Sequence, residues 1–283
     1  AASDVYKRQV GGRICNRRCE DACTRGTVDE AVAIDEVKRF IAQQDLDAET
    51  RFIPEKVIPK VDGEFSEKIA IIGGGPAGMS CAYYLAEKGY RPTVFEKESR
   101  PGGMLMNAIP SFRLEKDVVE AEIDVLRALG VEFRCGVEVG KDITIAQLRE
   151  EGYKGFYVAV GLQHGGALAV PGGDAENVIS GIDFIRGVHL RDEKALKGRV
   201  VVIGGGNIAA DVARTAVRCG AESVDLYCLE AYDGMPMGEE DRSECEREGI
   251  AIYAGWGPKE VQTEDGKASN IAFVKCLLSL IHI

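Results

Sequence analysis

The chain has little positive charge and no long apolar run, and these two absences exclude two classes of function. Its 35 Lys and Arg residues are outnumbered by 46 Asp and Glu residues, which gives a formal net charge of −11. Nucleic-acid binding requires a basic surface, so this balance argues against it. No apolar stretch approaches the ~20 residues of a membrane-spanning helix, and no signal sequence opens the chain. We therefore expect a cytoplasmic protein without nucleic-acid or membrane partners.

Cysteine is frequent, but the paired spacings of common metal sites are missing. Three of the nine cysteines, Cys15, Cys19 and Cys23, fall within nine residues. In a cytoplasmic protein such a cluster is more often a metal site than a disulfide framework. Zinc sites usually show two C-x2–4-C pairs, yet neither Cys nor His lies between Cys23 and Cys81. Three soft thiolates favour an iron–sulfur cluster, with zinc or structural thiols as alternatives.

The two ends of the chain differ from the segments beside them. Residues 1–9 and 277–283 do not continue the neighbouring periodicity, and they resemble translated sequencing-adapter sequence. We expect both stretches to be non-native and the natural protein to be longer, with natural extended termini as the alternative.

Residues 10–60 form a first unit, which contains the cysteine cluster and one helix. Four apolar residues that share a face predict this helix over Asp29–Gln44: Val32, Val37, Phe40 and Ile41. Residues 45–60 contain two prolines and have no clear period, so they are expected to be a connector.

After Lys68 an α/β pattern begins, and it occurs twice. The first copy predicts strands at 69–72, 93–95, 131–134 and 155–160, and helices at 78–88 and 114–129. The second copy predicts a buried-type strand at 199–203, a helix at 207–218 and a strand at 223–228. In both copies the two glycines that bracket the first helix are sixteen positions apart: Gly73 and Gly89 in the first, and Gly204 and Gly220 in the second. This duplication predicts two Rossmann-like dinucleotide-binding domains.

The first glycine loop has the spacing that a dinucleotide requires. Backbone N–H groups at a helix N-terminus hold the pyrophosphate, so side chains are excluded at set positions. Gly73 allows the tight turn, Gly75 lets the pyrophosphate approach, and Gly78 lets the helix pack on the strand. Glu96 lies 23 residues past Gly73, at the end of the next strand. A carboxylate at that position binds the ribose hydroxyls, so strand, loop, helix and acid together predict a nucleotide site.

The second loop, Gly204 to Ala209, has the accepted G-x-G-x-x-A form, because alanine still permits close helix packing. Its candidate acid is Glu230. A carboxylate there would accept hydrogen bonds from free ribose hydroxyls and would repel a 2′-phosphate. Alternatively, Glu230 is a solvated residue just past the strand.

Three motifs in order resemble the glutamate synthase small-subunit family, which includes the N-terminal half of dihydropyrimidine dehydrogenase. GRICNRRCEDAC and VKRFI, within residues 11–43, resemble its helical iron–sulfur domain. The stretch 69–114, with RPGGML and IPSFRL, resembles its FAD domain. Met235-Pro236, the acids at 239 and 240, and Glu248-Gly249-Ile250 match its nicotinamide domain.

The resemblance implies a flavin disulfide-reductase-like fold preceded by a small helical Fe–S domain. The domains would be the iron–sulfur domain and linker at 10–60, the FAD domain at 66–168 and the NAD(P) domain at 169–276. The implied FAD contacts are Gly73, Gly75, Pro76, Ala77, Gly78, Glu96, Lys97, Gly103, Met104, Arg113 and Gly161. The implied nicotinamide-nucleotide contacts are Gly204, Gly206, Asn207, Ile208, Ala209 and Glu230. Cys15, Cys19 and Cys23 would be shared between two [4Fe-4S] clusters.

This chain departs from the family pattern at three places. Members that use NADPH carry an Arg pair where this chain has Leu229-Glu230, and this difference favours NADH. Lys38 stands where relatives place a Glu or Gln cluster ligand, and an ammonium has no acceptor to serve as one. The family's Gly-Asp motif, which closes the flavin site beyond the nicotinamide domain, is not reached. We expect this fragment alone to be inactive.

The implied function is an FAD-dependent NAD(P)H oxidoreductase that passes electrons through Fe–S clusters to a partner subunit or domain. No catalytic side chain is nominated, since the flavin carries the chemistry. The rivals are a non-catalytic electron-transfer or scaffold subunit and a thioredoxin-reductase-like disulfide reductase. The latter needs C-x-x-C, and the second domain's cysteines are too widely spaced for it. We expect the six scattered cysteines to be small core residues: Cys81, Cys135, Cys219, Cys228, Cys245 and Cys276.

Overall fold

A computed structural model describes most of the chain: residues 8–59, 63, 65–190 and 195–276. It divides into two compact units between Leu162 and Gln163. The N-terminal helices belong to the same unit as the first glycine loop. The sequence-based boundary at 168/169 lies slightly later and stays a prediction. Residues 277–283, and 1–7 of the stretch expected to be non-native, lie outside the described residues.

The first unit is built around a four-stranded parallel sheet in the order β3-β2-β1-β4. Its helices and strands are α1 (Arg8–Ile14), α2 (Arg18–Asp21), α3 (Ile34–Leu46), β1 (Lys68–Ile72), α4 (Pro76–Glu87), β2 (Arg91–Glu96), α5 (Met104–Asn107), α6 (Lys116–Ala128), β3 (Glu132–Cys135), α7 (Ile145–Glu150) and β4 (Tyr153–Val158). The predicted strands and helices of the first copy are all present, with ends that differ by one to two residues.

The central strand β1 is covered on both faces, as parallel sheets generally are. One face packs on α4 and α6 through fully buried residues that include Ile71, Val94, Met79 and Leu126. The other face packs on α7 through a smaller cluster of Ala70, Phe95, Leu148 and Tyr153. Burial on both faces explains why β1 is a continuous apolar run and not an alternating one.

The N-terminal helices attach to this unit through both apolar and polar contacts, since Val10 of α1 is buried in the core that α4 and α6 share. The Gln9 side-chain amide donates to the Ala42 carbonyl at 2.5 Å, and its backbone N–H donates to Glu122 of α6 at 2.6 Å. Both Gln9 and Ala42 are buried. Residues 47–59 form neither helix nor strand, as predicted for the connector at 45–60, but the first two residues of that connector belong to the end of α3.

The predicted helix over Asp29–Gln44 is wrong at its start, because α3 begins at Ile34. The Asp29 carboxylate accepts a hydrogen bond from the N–H of Glu30 at 2.8 Å and pairs with Arg25. Such local side-chain contacts compete with helix formation. The apolar face of α3 points outward in the described part of the chain, and its exposed side chains are Val37, Phe40 and Ile41.

The second unit contains a three-stranded parallel sheet in the order β5-β6-β7 and an antiparallel hairpin. Its helices and strands are α8 (Gly181–Leu190), β5 (Arg199–Ile203), α9 (Asn207–Arg218), β6 (Ser223–Cys228), α10 (Glu239–Arg247), β7 (Ala251–Ala254), β8 (Trp256–Glu264) and β9 (Lys267–Lys275). The three elements that the sequence predicted here, β5, α9 and β6, agree to the residue. They pack through a core that includes Val202, Ala213, Leu226 and Cys245.

The strand β5 was predicted to be of the buried type, and this is wrong for one of its faces. Val201 and Ile203 are 38% and 37% exposed, whereas Val202 on the opposite face is buried in the core. On the outer face, Tyr227 stacks between Tyr253 and Phe273, with ring centroids 4.5 Å and 3.8 Å apart. Within the described residues the hairpin thus covers β6 but leaves β5 accessible.

Candidate dinucleotide-binding sites

The first glycine loop joins β1 to α4 in a conformation that glycine alone adopts readily at its first position. Gly73 has a φ of +107°, and its N–H donates to the Phe95 carbonyl at 2.8 Å. A Cβ at Gly73 would lie 2.3 Å from the Ala159 carbonyl oxygen. The backbone of Ala159 and Val160, which follows β4, therefore passes directly beside this loop.

Close packing also explains Gly78 and Gly103. A Cβ at Gly78 would lie 2.0 Å from the Gly73 carbonyl oxygen, and one at Gly103 would lie 2.7 Å from the Gly75 Cα. Gly75 is the extended N-cap of α4, Pro76 is the first helical residue, and no described side chain caps the helix. The start of α4 therefore keeps its N–H groups available for an anion.

Glu96 bridges the end of β2 to this loop and is only 4% exposed. Its Oε2 accepts a hydrogen bond from Gly74 N–H at 2.7 Å, and its Oε1 accepts one from Glu98 N–H at 2.9 Å. A carboxylate has about four lone-pair sites, so two remain for ribose hydroxyls. The structure brings Glu96 to the glycine loop, as its position in the sequence predicts.

The other predicted flavin contacts lie in different elements and differ in their exposure to solvent. Ala77 lies in the first turn of α4, and Met104 begins the short helix α5. Lys97 is exposed, and Arg113 is partly buried. Gly161 is exposed and has a φ of +69°. The structure places Gly103 against the loop, while the roles of these other residues stay predictions.

The second loop repeats the geometry of the first. Gly204 has a φ of +143°, and its N–H donates to the Tyr227 carbonyl at 2.8 Å. Gly206 is the extended N-cap of α9, again without a side-chain cap. Ala209 is buried where the first loop has Gly78. In the first turn of α9, Ile208 is 57% exposed.

A further feature common to both loops was missed by sequence reasoning. The carbonyl of the middle glycine accepts a hydrogen bond from a later segment: Gly74 from Gly102 N–H at 2.8 Å, and Gly205 from Met237 N–H at 3.0 Å. The Asn207 amide oxygen also accepts one from Gly238 N–H at 3.3 Å. Gly102 and Met237 lie within or beside the recognised RPGGML and Met235-Pro236 motifs, which was the available clue.

Glu230 reaches the second loop from a different backbone position. In the first unit Ile72 pairs with Phe95, and in the second Ile203 pairs with Tyr227. The residue equivalent to Glu96 is therefore Cys228, and Glu230 lies two residues later. A Cβ at Gly205 would nevertheless lie 2.7 Å from Glu230 Oε2. The side chain is directed at the loop, which favours the ribose interpretation over that of a solvated residue.

The three clustered cysteines are not gathered at one point. Cys19 is exposed, and Cys15 and Cys23 are partly buried. Among the described residues, no three His, Cys, Asp or Glu side chains are placed to hold one metal ion. Backbone N–H groups of Val32, Arg25 and Gly26 lower the pKa of the Cys23 thiol. Cys15 Sγ accepts a hydrogen bond from Lys38 Nζ at 3.6 Å.

These contacts suit thiolates, which are the form of cysteine that binds iron or zinc. The donor set therefore fits the chemistry of an Fe–S cluster. Three of the six scattered cysteines are buried core residues, as expected, and the other three are buried only in part. Cys219, Cys228 and Cys245 are buried, and Cys81, Cys135 and Cys276 are partly buried.

Comparison with known proteins agrees with this geometry. The beta subunit of NADP(+)-dependent formate dehydrogenase from Moorella thermoacetica is 37% identical over 95% of this chain and 40% of its own length. The dihydropyrimidine dehydrogenase subunit PreT from Escherichia coli O157:H7 is 33% identical, over 93% of this chain and 63% of its own. The glutamate synthase [NADPH] small chain of Halomonas elongata is 35% identical, over 91% and 56%. The chain thus spans about half the length of these relatives, and the resemblance to the glutamate synthase small subunit is confirmed.

The fold likewise matches solved structures. FprA, an oxidoreductase from Mycobacterium tuberculosis, superimposes with a TM-score of 0.62 at 17% identity, over 74% of this chain and 64% of that one. In the described ranges, each helix is too short or too polar to cross a bilayer. A family model described as pyridine nucleotide-disulphide oxidoreductase matches residues 67–276. The chain belongs to that family.

Proposed function

We propose that this chain is the electron-input part of an FAD-dependent NAD(P)H oxidoreductase, which takes a hydride from NAD(P)H and passes electrons to a partner subunit or domain. One observation carries the proposal. Two strand–loop–helix units have the same backbone geometry, and in each a carboxylate is directed at the middle glycine, Gly74 or Gly205. Two such loops in one chain fit a hydride donor and a hydride acceptor that are both dinucleotides.

The two loops would bind the pyrophosphates through backbone N–H groups at the starts of α4 and α9. Both helices have twelve residues and begin without a side-chain cap, so the helix dipole and the N–H groups favour an anion. FAD, when bound, supplies the chemistry, because it accepts a hydride and releases electrons singly. The chain supplies position: Glu96 orients one ribose, and the crossover at Ala159 limits how deeply a ligand can enter. No side chain is required as an acid or base.

We propose NADH as the preferred donor. The Glu230 carboxylate at Gly205 would accept hydrogen bonds from the ribose hydroxyls, and it would repel a 2′-phosphate at the same place. Replacing Glu230 by arginine removes this repulsion and adds a guanidinium that pairs with phosphate. We expect the ratio of NADH to NADPH reduction rates to fall at least tenfold in Glu230→Arg. A strong NADPH preference in the unmutated protein would contradict this assignment.

The electrons would leave through [4Fe-4S] clusters that bind Cys15, Cys19 and Cys23. Support comes from the hydrogen bond that Lys38 donates to Cys15, from the lowered pKa of the Cys23 thiol beside backbone N–H groups, and from the family resemblance. Lys38 points an ammonium at Cys15 and cannot act as a ligand itself. Other ligands would have to come from outside these three cysteines. The cytoplasm stays the predicted location.

Absorbance of the full-length natural protein under anoxic conditions, before and after NADH, tests the proposal. We expect a flavin band that bleaches together with reduction of an Fe–S band. A protein with bound flavin that NADH does not bleach would indicate the scaffold alternative, and a colourless, metal-free protein would refute the proposal. A disulfide reductase is disfavoured, since Cys219, Cys228 and Cys245 are buried and are too widely spaced in the sequence to form a C-x-x-C motif.

A further inference from the structure

Lys38 occupies the position of a cluster ligand in the resembled family, and its contacts indicate a different role. Its Nζ lies 3.6 Å from Cys15 Sγ and donates a hydrogen bond to it. The same Nζ lies 3.1 Å from Asp35 Oδ1, one helical turn away on α3. An ammonium has three donors, so it can hold both partners at once.

Asp35 is well suited to fix this ammonium in place. Its side chain is 4% exposed, and its backbone N–H donates to Glu20 Oε1 at 2.7 Å. Arg17 Nε lies 3.7 Å from its other carboxylate oxygen. Asp35 is therefore a buried carboxylate whose ion pair with Lys38 keeps the ammonium beside Cys15.

We propose that Lys38 is a positioning residue that raises the reduction potential of the cluster bound through Cys15. The proposal rests on the iron–sulfur part of the proposed function. Reduction adds negative charge to a cluster and its thiolates, and an N–H donor at a ligand sulfur stabilises that charge. A cationic donor does so more strongly than a neutral one.

The surroundings of Cys23 make the contrast clear. Its sulfur faces backbone N–H groups of Val32, Arg25 and Gly26, which are neutral donors. Cys15 instead faces the ammonium of Lys38, a cationic donor whose charge is partly balanced by its ion pair with Asp35. If Cys15 and Cys23 belong to different clusters, the contact with Lys38 raises the potential of the cluster bound through Cys15.

Redox titration of the full-length protein, purified anoxically and followed by electron paramagnetic resonance, tests this. Lys38→Met removes the charge and keeps the length of the side chain, whereas Lys38→Arg retains the charge. Arg39→Met is the matched control, because Arg39 lies on the same helix, is exposed and carries the same charge. Lys38→Ala serves as a second neutral variant in case Lys38→Met does not fold.

We expect the reduction potential of one cluster to fall by at least about 59 mV in Lys38→Met. For a one-electron couple this shift equals a tenfold change in the oxidised-to-reduced ratio at a given potential. Lys38→Arg and Arg39→Met should stay near the unmutated value, with equal iron and sulfide content throughout. Equal potentials in Lys38→Met and Arg39→Met would overturn the role of Lys38 and leave the clusters in place. Absence of iron and acid-labile sulfide from the unmutated protein would instead refute the clusters themselves.

Discussion

Replacing Gly78 by alanine tests whether the first loop depends on the close packing of α4 against β1. A Cβ at this position would lie 2.0 Å from the Gly73 carbonyl oxygen and 3.2 Å from Ile71 Cγ2. The nearer contact is with backbone, so no side-chain rotation relieves it. The start of α4 must move outward by about 1 Å to reach an ordinary contact distance.

The expected cost follows from two opposing effects. Inserting a methyl group into a packed contact typically costs ~1–3 kcal/mol, and the short contact with Gly73 places this site at the upper end. Alanine in a helix recovers ~1 kcal/mol relative to glycine. We therefore expect the free energy of unfolding to fall by ~2 kcal/mol, a change of about 30-fold in the folding equilibrium. FAD affinity should fall at least tenfold, because the displaced N–H groups are those proposed to bind the pyrophosphate.

The assays are urea unfolding of the flavin-free protein and fluorescence titration with FAD, both on the full-length protein. Ala209→Gly is the matched control, since alanine already stands at the equivalent position of the second loop. It should lower stability by ~1 kcal/mol through helix propensity and leave FAD affinity unchanged. Unaltered stability and FAD affinity in Gly78→Ala would refute the packing argument.

Two further predictions concern titratable groups. Burial raises the pKa of the Cys245 thiol to about 11, so only about 0.1% of it is thiolate at pH 8. Maleimide should therefore label the exposed Cys19 in the folded apoprotein, but it should label Cys245 only in urea. Rapid labelling of Cys245 in the folded protein would contradict this prediction. A hydrogen bond from Arg218 lowers the pKa of the Glu248 carboxyl below its ordinary value of 4.5. The ionised carboxylate therefore stabilises the folded state above pH 4.5, and this contribution is lost as the pH falls through the lowered pKa. Glu248→Gln should therefore lose less unfolding free energy between pH 7 and pH 4 than the unmutated chain or Glu222→Gln, and equal losses would refute the assignment.

The elements that the sequence predicted best are those that adjoin a glycine loop. The strand β5 and the helix α9 match to the residue, because the glycine loop between them defines the end of one and the start of the other. The same holds for β1 and α4 within two residues. Glycine at Gly73 and Gly204 is required by the backbone itself, and therefore it could be recognised without tertiary information.

The errors occurred where burial depends on partners that periodicity does not reveal. The apolar residues Val37, Phe40 and Ile41 share a face of α3, but the helix packs on α1 through Gln9 and Ala42 instead. Likewise β5 has an apolar composition on both faces although one face is accessible in the described residues. Hydrophobic spacing identifies which residues share a face, but it does not determine which element covers that face.

The acid of the second loop shows why spacing alone left two interpretations open. Strand register aligns Cys228, not Glu230, with Glu96, so a count along the sequence would place the carboxylate past the site. The chain turns after β6, where Gly255 N–H donates to the Glu230 carbonyl at 2.7 Å, and this turn directs the side chain back to Gly205. Cys228, in the strand-end position, is 2% exposed and packs in the core of the second unit. The carboxylates of Glu96 and Glu230 are thus directed at the middle glycines of the two loops from different backbone positions, so a fixed spacing from the glycine loop cannot identify the acid by itself.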